Sequence, residues 1–152
     1  MEKIKIGFAS DHRGYELKEK LIDYFKKQSL DITDCGTNSK DSCDYPDYAY
    51  LLGKEIQNKD IDFGIAICGS GIGISIALNK MKGVYCAKVN NALEARYTRL
   101  DNNTNVVSFS GDTNLEEAIK IVDTFIHTKF SNLEKHINRI NKVKKIEENN
   151  YD

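Results

Sequence analysis

The chain has 152 residues, the usual length of one domain. Lys and Arg number 22 against 23 Asp and Glu, so the net charge of −1 gives no general attraction to nucleic acid or to an anionic membrane. Hydrophobic residues make up 40% and charged residues 30%, which excludes a disordered or fibrous protein. Residues 1–8 lack the apolar run of a signal peptide, and no later run is long enough to span a membrane, so we expect a cytoplasmic protein.

Hydrophobic periodicity predicts five strands that alternate with helices. The run 63–68 is almost entirely apolar, as in a central parallel strand that is covered on both faces. Pro46, the single proline, fits the loop or the first turn before the second helix. In chain order, the prediction is strand 3–9, helix 14–28, strand 30–35, helix 48–57, strand 63–68, helix 75–80, strand 83–89, helix 91–100, strand 105–110, helix 115–129 and helix 133–148.

This order predicts an α/β fold: a doubly wound, Rossmann-like sheet of about five parallel strands with helices on both faces. No linker or repeat interrupts the pattern, so we expect a single domain over residues 1–146 and a polar C-terminal tail over residues 147–152. Ligands of such sheets bind beyond the carboxyl ends of the strands. The end of the central strand 63–68 is therefore the expected site.

The four cysteines, Cys35, Cys43, Cys68 and Cys86, form no CxxC pair and have no His cluster beside them, which argues against a zinc site. In a reducing compartment they should be free thiols. Cys68 directly precedes a glycine-rich helix start, and a helix N-terminus stabilises a thiolate. The residues alone leave open whether Cys68 is an acid/base group or a buried core thiol, although its position favours the first. The other three are assigned to packing.

The segment after Cys68 is rich in glycine. Gly69, Gly71 and Gly73 permit tight or left-handed backbone, and their amides at a helix start form a pocket for negative charge. A phosphate or an enediolate would fit such a pocket. The spacing is not GxGxxG, and no Gly-Lys-Ser/Thr sequence follows, so a Walker A loop is excluded.

Asp11 and His12 follow the first strand and should lie at the same edge of the sheet. A carboxylate and an imidazole there could contact a ligand. Asp11 could instead cap the helix that follows, and both roles can coexist.

Several segments match one known family: Ala9-Ser-Asp-His-Arg-Gly14, Asp34-Cys-Gly-Thr37, Asp44-Tyr-Pro-Asp-Tyr-Ala49, Cys68-Gly-Ser-Gly-Ile-Gly-Ile-Ser-Ile-Ala77 with Asn79-Lys80, and Asn102-Asn-Thr-Asn-Val106. On these segments the chain resembles the RpiB/LacAB family of sugar-phosphate isomerases, from the first strand to about residue 142. The joint presence of the Cys-Gly-Ser-Gly-Ile-Gly and Asp-Tyr-Pro-Asp-Tyr segments makes the resemblance specific.

The resemblance implies an enzyme that interconverts aldose and ketose phosphates through a cis-enediol, without metal or cofactor, at sites between the subunits of a homodimer or tetramer. It implies that Cys68 is the base that takes the C2 proton, because the other branch of the family uses a Glu where this chain has Ile74. Ser70 would move protons on the substrate oxygens. The remaining implied ligands are the amides of Gly69, Gly71, Ile72 and Gly73 for the enediolate, Asp11, Tyr45 and Asn102 for the sugar hydroxyls, and His12, Lys135 and Arg139 for the phosphate.

Lys135 and Arg139 are spaced i, i+4, which puts both cations on one face of the last predicted helix. Taken alone, they would be solvated helix charges. The resemblance instead implies phosphate ligands at positions where the family usually has two arginines. A Lys keeps the charge but loses the bidentate fork of an Arg.

Two positions depart from the family pattern. Asp101 stands where the family commonly has the His that opens the sugar ring, and an aspartate is not the same near-neutral donor. Asp101 carrying a proton, Asp11 or spontaneous opening could substitute, so Asp101 stays among the candidate catalytic residues. Asp112 stands where an arginine often binds the phosphate from the neighbouring subunit, and it would repel phosphate if it pointed inward.

The leading interpretation is an isomerase of ribose 5-phosphate and ribulose 5-phosphate, with the phosphorylated sugar and a second copy of the chain as its partners. One alternative is a six-carbon substrate, such as galactose 6-phosphate or allose 6-phosphate. Another is a non-catalytic homologue that only binds sugar phosphates. The joint presence of Cys68, Ser70, Asp11 and Tyr45 favours an enzyme.

Overall fold

A computed structural model describes residues 2–152 as one five-stranded parallel sheet with six helices. The elements are β1 (Ile4–Ser10), α1 (Tyr15–Phe25), β2 (Leu30–Asp34), α2 (Tyr45–Gln57), β3 (Phe63–Cys68), α3 (Ile72–Asn79), β4 (Cys86–Lys88), α4 (Ala92–Asn102), β5 (Val106–Ser110), α5 (Leu115–His127) and α6 (Glu134–Glu147). The strands lie in the order β2-β1-β3-β5-β4, and every pair is parallel. The predicted α/β fold is confirmed.

The direction of the chain across the sheet reverses between β1 and β3. From β1 the chain crosses outward to the edge strand β2 and then returns past β1 to β3. At the carboxyl ends, Ser10 pairs with Ile67 and Cys68 pairs with Ser110. Ligands of open parallel sheets bind in the crevice at such a reversal. The loops that follow β1 and β3 therefore lie side by side at that place.

Each face of the sheet carries its own apolar core. Helices α1, α4 and α5 cover one face, and α2 and α3 cover the other. Ile65 and Ile67 of β3 point into the first core, while Ala66 and Cys68 point into the second. Burial on both faces explains why β3 has an unbroken apolar sequence. It also directs the Cys68 side chain towards α2 and α3.

Several boundaries differ from the predicted ones by one to three residues. α2 begins at Tyr45 rather than 48, because Pro46 occupies the first turn, where its missing N–H is not needed. α3 begins at Ile72 rather than 75, since Gly71 adopts a left-handed φ of 80° and serves as the N-cap. β4 is limited to Cys86–Lys88. The glycine segment is thus part of a helix start and not only a loop.

No helix within residues 2–152 combines the length and the apolar character needed to cross a membrane. α6 ends at Glu147, the first residue of the predicted tail. The Glu147 carboxylate accepts hydrogen bonds from the Gly83 amide at 2.9 Å and from the Tyr85 hydroxyl at 3.0 Å. These contacts tie the last turn of α6 to the segment before β4.

Candidate active site

A cleft of about 420 Å³ opens at the carboxyl edge of the sheet, at the reversal between β1 and β3. We call it the carboxyl-edge cleft. It collects side chains from three separate parts of the chain: the loop after β1, the start of α2, and the segment from the end of β3 into α3. Its lining residues are Asp11, Arg13, Tyr45, Cys68, Gly69, Ser70 and Gly73.

Cys68 is the last residue of β3 and lies at the floor of this cleft, with 3% of its surface exposed. Its carbonyl accepts a hydrogen bond from the Gly111 amide at 2.8 Å, which fixes the strand end against the loop after β5. The thiol is therefore held on rigid backbone and shielded from bulk water. A ligand that enters the cleft can still reach it.

The other three cysteines have different surroundings. Burial raises the pKa of the Cys35 thiol and of the Cys86 thiol to about 11, so both stay protonated at neutral pH. The Cys43 sulfur lies 3.9 Å from Nδ1 of His12. None of these three thiols lines the carboxyl-edge cleft. No cluster of three or more His, Cys, Asp or Glu side chains in residues 2–152 is arranged to hold a metal ion.

Two serines of β5 hold the glycine segment in place. The Ser110 hydroxyl donates to the Gly69 carbonyl at 2.7 Å, and the Ser108 hydroxyl donates to the Gly71 carbonyl at 2.9 Å. Because C=O and N–H of one peptide unit point in opposite directions, these bonds turn the amides of Ser70 and Ile72 away from β5. The Ile72 amide meets the Ser70 hydroxyl at 3.1 Å, so that hydroxyl sits over the helix start.

We predict that Gly71→Ala abolishes most activity, by about 100-fold or more, because a methyl group there would lie 2.7 Å from the Phe109 backbone at a φ of 80°. The control is Gly83→Ala, which has a similar φ of 78° but open space around the added methyl group. Both variants carry backbone strain, but only Gly71→Ala should displace the backbone amides of the glycine segment after Cys68. Steady-state kinetics and thermal melts of both proteins check this, and equal activities would contradict it.

Asp11 lines the cleft and holds the turn that leads into α1. Its Oδ1 accepts hydrogen bonds from the amides of Arg13 at 2.9 Å and Gly14 at 3.1 Å, and the residue is 6% exposed. One carboxylate oxygen is therefore fixed by the backbone, which orients the other. Asp11 thus holds the turn before α1 rather than capping α1 itself, whose N-cap is Gly14. Its contact with a ligand stays a prediction.

Tyr45 starts α2 and covers the first turn of α3. Its ring packs so closely on Gly73 that a methyl group at that glycine would lie 2.6 Å from the ring. The Tyr45 hydroxyl is thereby held at the mouth of the cleft, and Ser70 is exposed beside it. Glycine at position 73 is thus required by the approach of an aromatic ring.

Arg13, Ser108 and Ser110 were not singled out by the sequence analysis. The Arg13 guanidinium lies against Gly69, and its Nη2 is 3.9 Å from Oδ2 of Asp112. Both side chains are mostly exposed, so the ion pair is weak. Asp112 faces a cation at the rim of the cleft. Arg13 could have been found from the sequence, because it directly follows the predicted site residues Asp11 and His12.

A second cleft, of about 230 Å³, is lined by Asp101, Asn102, His136, Arg139, Ile140 and Val143. We call it the amino-edge cleft. It lies between the end of α4 and α6, where the Ser131 amide donates to the Leu100 carbonyl at 3.2 Å. No residue of the described chain lines both this cleft and the carboxyl-edge cleft.

The two clefts lie at opposite edges of the sheet. α4 follows β4 and precedes β5, so it runs antiparallel to the strands and ends at Asn102, near the amino end of β5. Cys68 lies at the carboxyl end of β3, beside the last residue of β5. The five residues of β5 separate these ends by about 15 Å. Within one chain, Cys68 and Asn102 therefore lie too far apart to contact the same small ligand.

Arg99 anchors the end of α4. Its guanidinium donates to the carbonyls of Thr128 at 3.0 Å and Thr104 at 2.6 Å, and to the Asn103 side chain at 2.9 Å. It also lies over the Phe63 ring, 5.0 Å from the centroid, and burial lowers the pKa of this guanidinium. The amino-edge cleft therefore rests on a fixed helix end.

The other predicted ligands lie around these clefts. His12 is half-buried, and its Nδ1 accepts a hydrogen bond from the Cys43 amide at 3.2 Å. Gly71 is buried and Ile72 exposed, and neither lines the carboxyl-edge cleft. Lys135 is exposed on α6, next to the amino-edge cleft, which Arg139 lines.

The fold and the carboxyl-edge cleft define a doubly wound α/β protein with a buried thiol and a glycine helix start at its ligand crevice. The family model described as Ribose/Galactose Isomerase matches residues 6–143. The chain belongs to this family, and its enzyme class is that of an isomerase.

Individual relatives agree over nearly the whole chain. Ribose-5-phosphate isomerase B of Escherichia coli is 34% identical over 145 residues, covering 95% of this chain and 97% of that protein. The structure of ribose-5-phosphate isomerase B from Clostridium thermocellum is 37% identical, with a TM-score of 0.93 over 96% of this chain and 99% of that one. The Mycoplasma genitalium isomerase B with bound ribulose-5-phosphate is 37% identical, with a TM-score of 0.89 over 97% of this chain and 99% of that one.

Proposed function

We propose that the protein interconverts ribose 5-phosphate and ribulose 5-phosphate through a cis-enediol, with Cys68 as the base. The observation that carries this proposal is the Cys68 thiol on the floor of a cleft that also holds Asp11, Tyr45, Ser70 and the glycine helix start. The bound ribulose-5-phosphate of the Mycoplasma genitalium relative supports the choice of a five-carbon substrate.

The proposed reaction moves one proton between adjacent carbons. The Cys68 thiolate takes the proton from C2 of the open-chain aldose, and the Cys68 thiol, whose proton exchanges with solvent, then donates a proton to C1 of the enediol to give the ketose. Ser70, whose hydroxyl sits over the start of α3, passes the proton between the two substrate oxygens. The Ser70 amide, which the bond from Ser110 to the Gly69 carbonyl turns away from β5, stabilises the negative charge that develops on those oxygens.

We further propose that the complete site forms between two copies of the chain. The predicted sugar and phosphate ligands Asn102 and Arg139 line the amino-edge cleft, and the length of β5, about 15 Å, separates that edge of the sheet from Cys68. A two-fold axis would bring the amino-edge cleft of one copy to the carboxyl-edge cleft of the other. Each dimer would then hold two equivalent sites.

Exposed apolar side chains support this assembly. Ile72 and Ile76 of α3 are 54% and 57% exposed, and Leu93 and Tyr97 of α4 are 57% and 53% exposed. Each pair is spaced i, i+4, so each forms a short apolar stripe on its helix. Contiguous exposed apolar surface marks interaction sites. We assign these two stripes to the contact with the second copy.

We predict that replacing both Lys135 and Arg139 with Ala raises KM for the sugar phosphate by about 100-fold, the loss of two charge-assisted hydrogen bonds at ~1.5 kcal/mol each. Both side chains are exposed, so the melting temperature should change by less than about 3 °C. The control is Lys142→Ala/Lys145→Ala, which removes two exposed cations from the next turns of α6. An unchanged KM with a large loss of stability would instead indicate a structural role.

The proposed function is tested by assaying the purified full-length chain with ribose 5-phosphate, allose 6-phosphate and galactose 6-phosphate. We expect the highest kcat/KM for ribose 5-phosphate. A preference for a six-carbon substrate would keep the chemistry and change the sugar. Binding of sugar phosphates without turnover of any of the three would refute an enzymatic role.

A further inference from the structure

An imidazole and a carboxylate meet in the amino-edge cleft. Nε2 of His136 on α6 lies 3.3 Å from Oδ1 of Asp101 at the end of α4. The His136 side chain is 13% exposed and the Asp101 side chain 45%. The two residues come from different helices, so the pair is a product of the tertiary fold.

His136 differs from the other two histidines of the chain. Nδ1 of His12 is occupied by the Cys43 amide, and His127 is exposed at the end of α5, 3.0 Å from the Asp123 carbonyl. His136 lines the amino-edge cleft, which it shares with Asn102 and Arg139. It is thus the imidazole placed beside the residues that we assign to the sugar and the phosphate.

The proposed reaction needs such a group. A five-carbon aldose 5-phosphate in water is mostly a furanose, whose C1 is bonded to O4 and carries no carbonyl. Cys68 can form an enediol only from the open chain. Opening requires a proton donor at O4, and imidazole is the side chain whose ordinary pKa lies nearest to neutrality.

We propose that His136, held by Asp101, opens the sugar ring by protonating O4. The C1–O4 bond breaks, its electron pair stays on O4 with the proton from the imidazolium, and the C1 hydroxyl releases its proton to water as C1 becomes a carbonyl. The imidazole then regains a proton from water. This inference rests on the proposed function and on the two-copy site. Only an assembly of two copies would place His136 of one copy beside a sugar that is bound at Cys68 of the other.

Asp101 is a positioning residue in this scheme. Its carboxylate faces Nε2, and this contact orients the imidazole ring. Asn at position 101 would keep a polar contact and remove the negative charge. Proton donation to the sugar therefore depends on both residues: Asp101 positions the ring, and His136 contacts the sugar.

The experiment compares two reactions that differ only in ring opening. Ribulose 5-phosphate cannot close a furanose because its O5 is phosphorylated, so exchange of its C1 hydrogen with D₂O passes through the enediol alone. We expect His136→Asn to slow isomerisation of ribose 5-phosphate by about 100-fold. C1 exchange, followed by NMR at saturating ribulose 5-phosphate, should stay within about twofold of the parent.

Matched variants complete the test. His136→Gln should behave as His136→Asn does, Asp101→Asn should lose about tenfold in isomerisation only, and His127→Asn should leave both reactions unchanged. The inference would be overturned if the His136 variants slowed both reactions equally, or if they slowed neither. Both outcomes would leave the isomerase function in place. A parent protein that neither isomerises nor exchanges would overturn the proposed function and this inference with it.

Discussion

Cys68→Ala should reduce isomerase activity by about 1,000-fold, because removal of a general base in proton transfer costs about 100- to 10,000-fold. The loss should appear in kcat, since the thiol acts on the C2 proton in the transition state rather than on the bound ground state. Sugar-phosphate affinity should stay within a few-fold of the parent. Steady-state kinetics and isothermal titration with ribulose 5-phosphate measure the two quantities.

The fold should survive the Cys68→Ala substitution. The change deletes one buried sulfur at the rim of a core, so the melting temperature should fall by less than about 5 °C. Cys35→Ala is the matched control, because Cys35 also packs against the α2 and α3 core but lies outside the cleft. That variant should retain activity within about twofold.

Isotope exchange sharpens the assignment. Cys68→Ala should lose C1 exchange of ribulose 5-phosphate together with net isomerisation, since both pass through the enediol. The His136 variants should lose net isomerisation but keep C1 exchange. If Cys68→Ala kept the parent rate in both reactions, the base would have to be another residue of the cleft.

The position of the carboxyl-edge cleft could be predicted because it depends on local sequence. Cys68 and Asp11 end two strands of a parallel sheet, and such ends meet at one edge whatever the details of packing. The three glycines after Cys68 indicated a helix start, because glycine permits the backbone conformations that such a turn needs. The first residues of α2 and α3 were each placed three residues too late, since apolar periodicity shows neither a proline in the first turn nor a glycine N-cap.

The rest depended on tertiary pairing. Ser108 and Ser110 hold the glycine segment because β5 lies between β3 and β4. The hydrophobic periodicity of a single segment does not predict this order of strands. The contact between Asp101 and His136 joins residues 35 positions apart on two helices, α4 and α6. Propensity and motif spacing carry no information on such contacts.

Mixing two impaired variants should restore activity if the site spans two chains. The first variant is Cys68→Ala, which keeps an intact amino-edge cleft, and the second is Lys135→Ala/Arg139→Ala, which keeps an intact carboxyl-edge cleft. At substrate well below the parent KM, each alone should show about 1% of parent activity or less. After co-expression, each mixed dimer pairs the intact clefts at one of its two sites.

Random assembly at equal amounts makes half of the dimers mixed, so the recovered activity should approach about a quarter of the parent value. Combining both sets of changes in one chain provides the control, because a mixture with Cys68→Ala then has no site with two intact clefts. Recovery in the first mixture and none in the second requires that Cys68 of one copy and the cations of α6 of the other act on the same sugar phosphate. Absence of recovery from purified mixed dimers would show that each chain works alone, and Asn102, Lys135 and Arg139 would then lie outside the site.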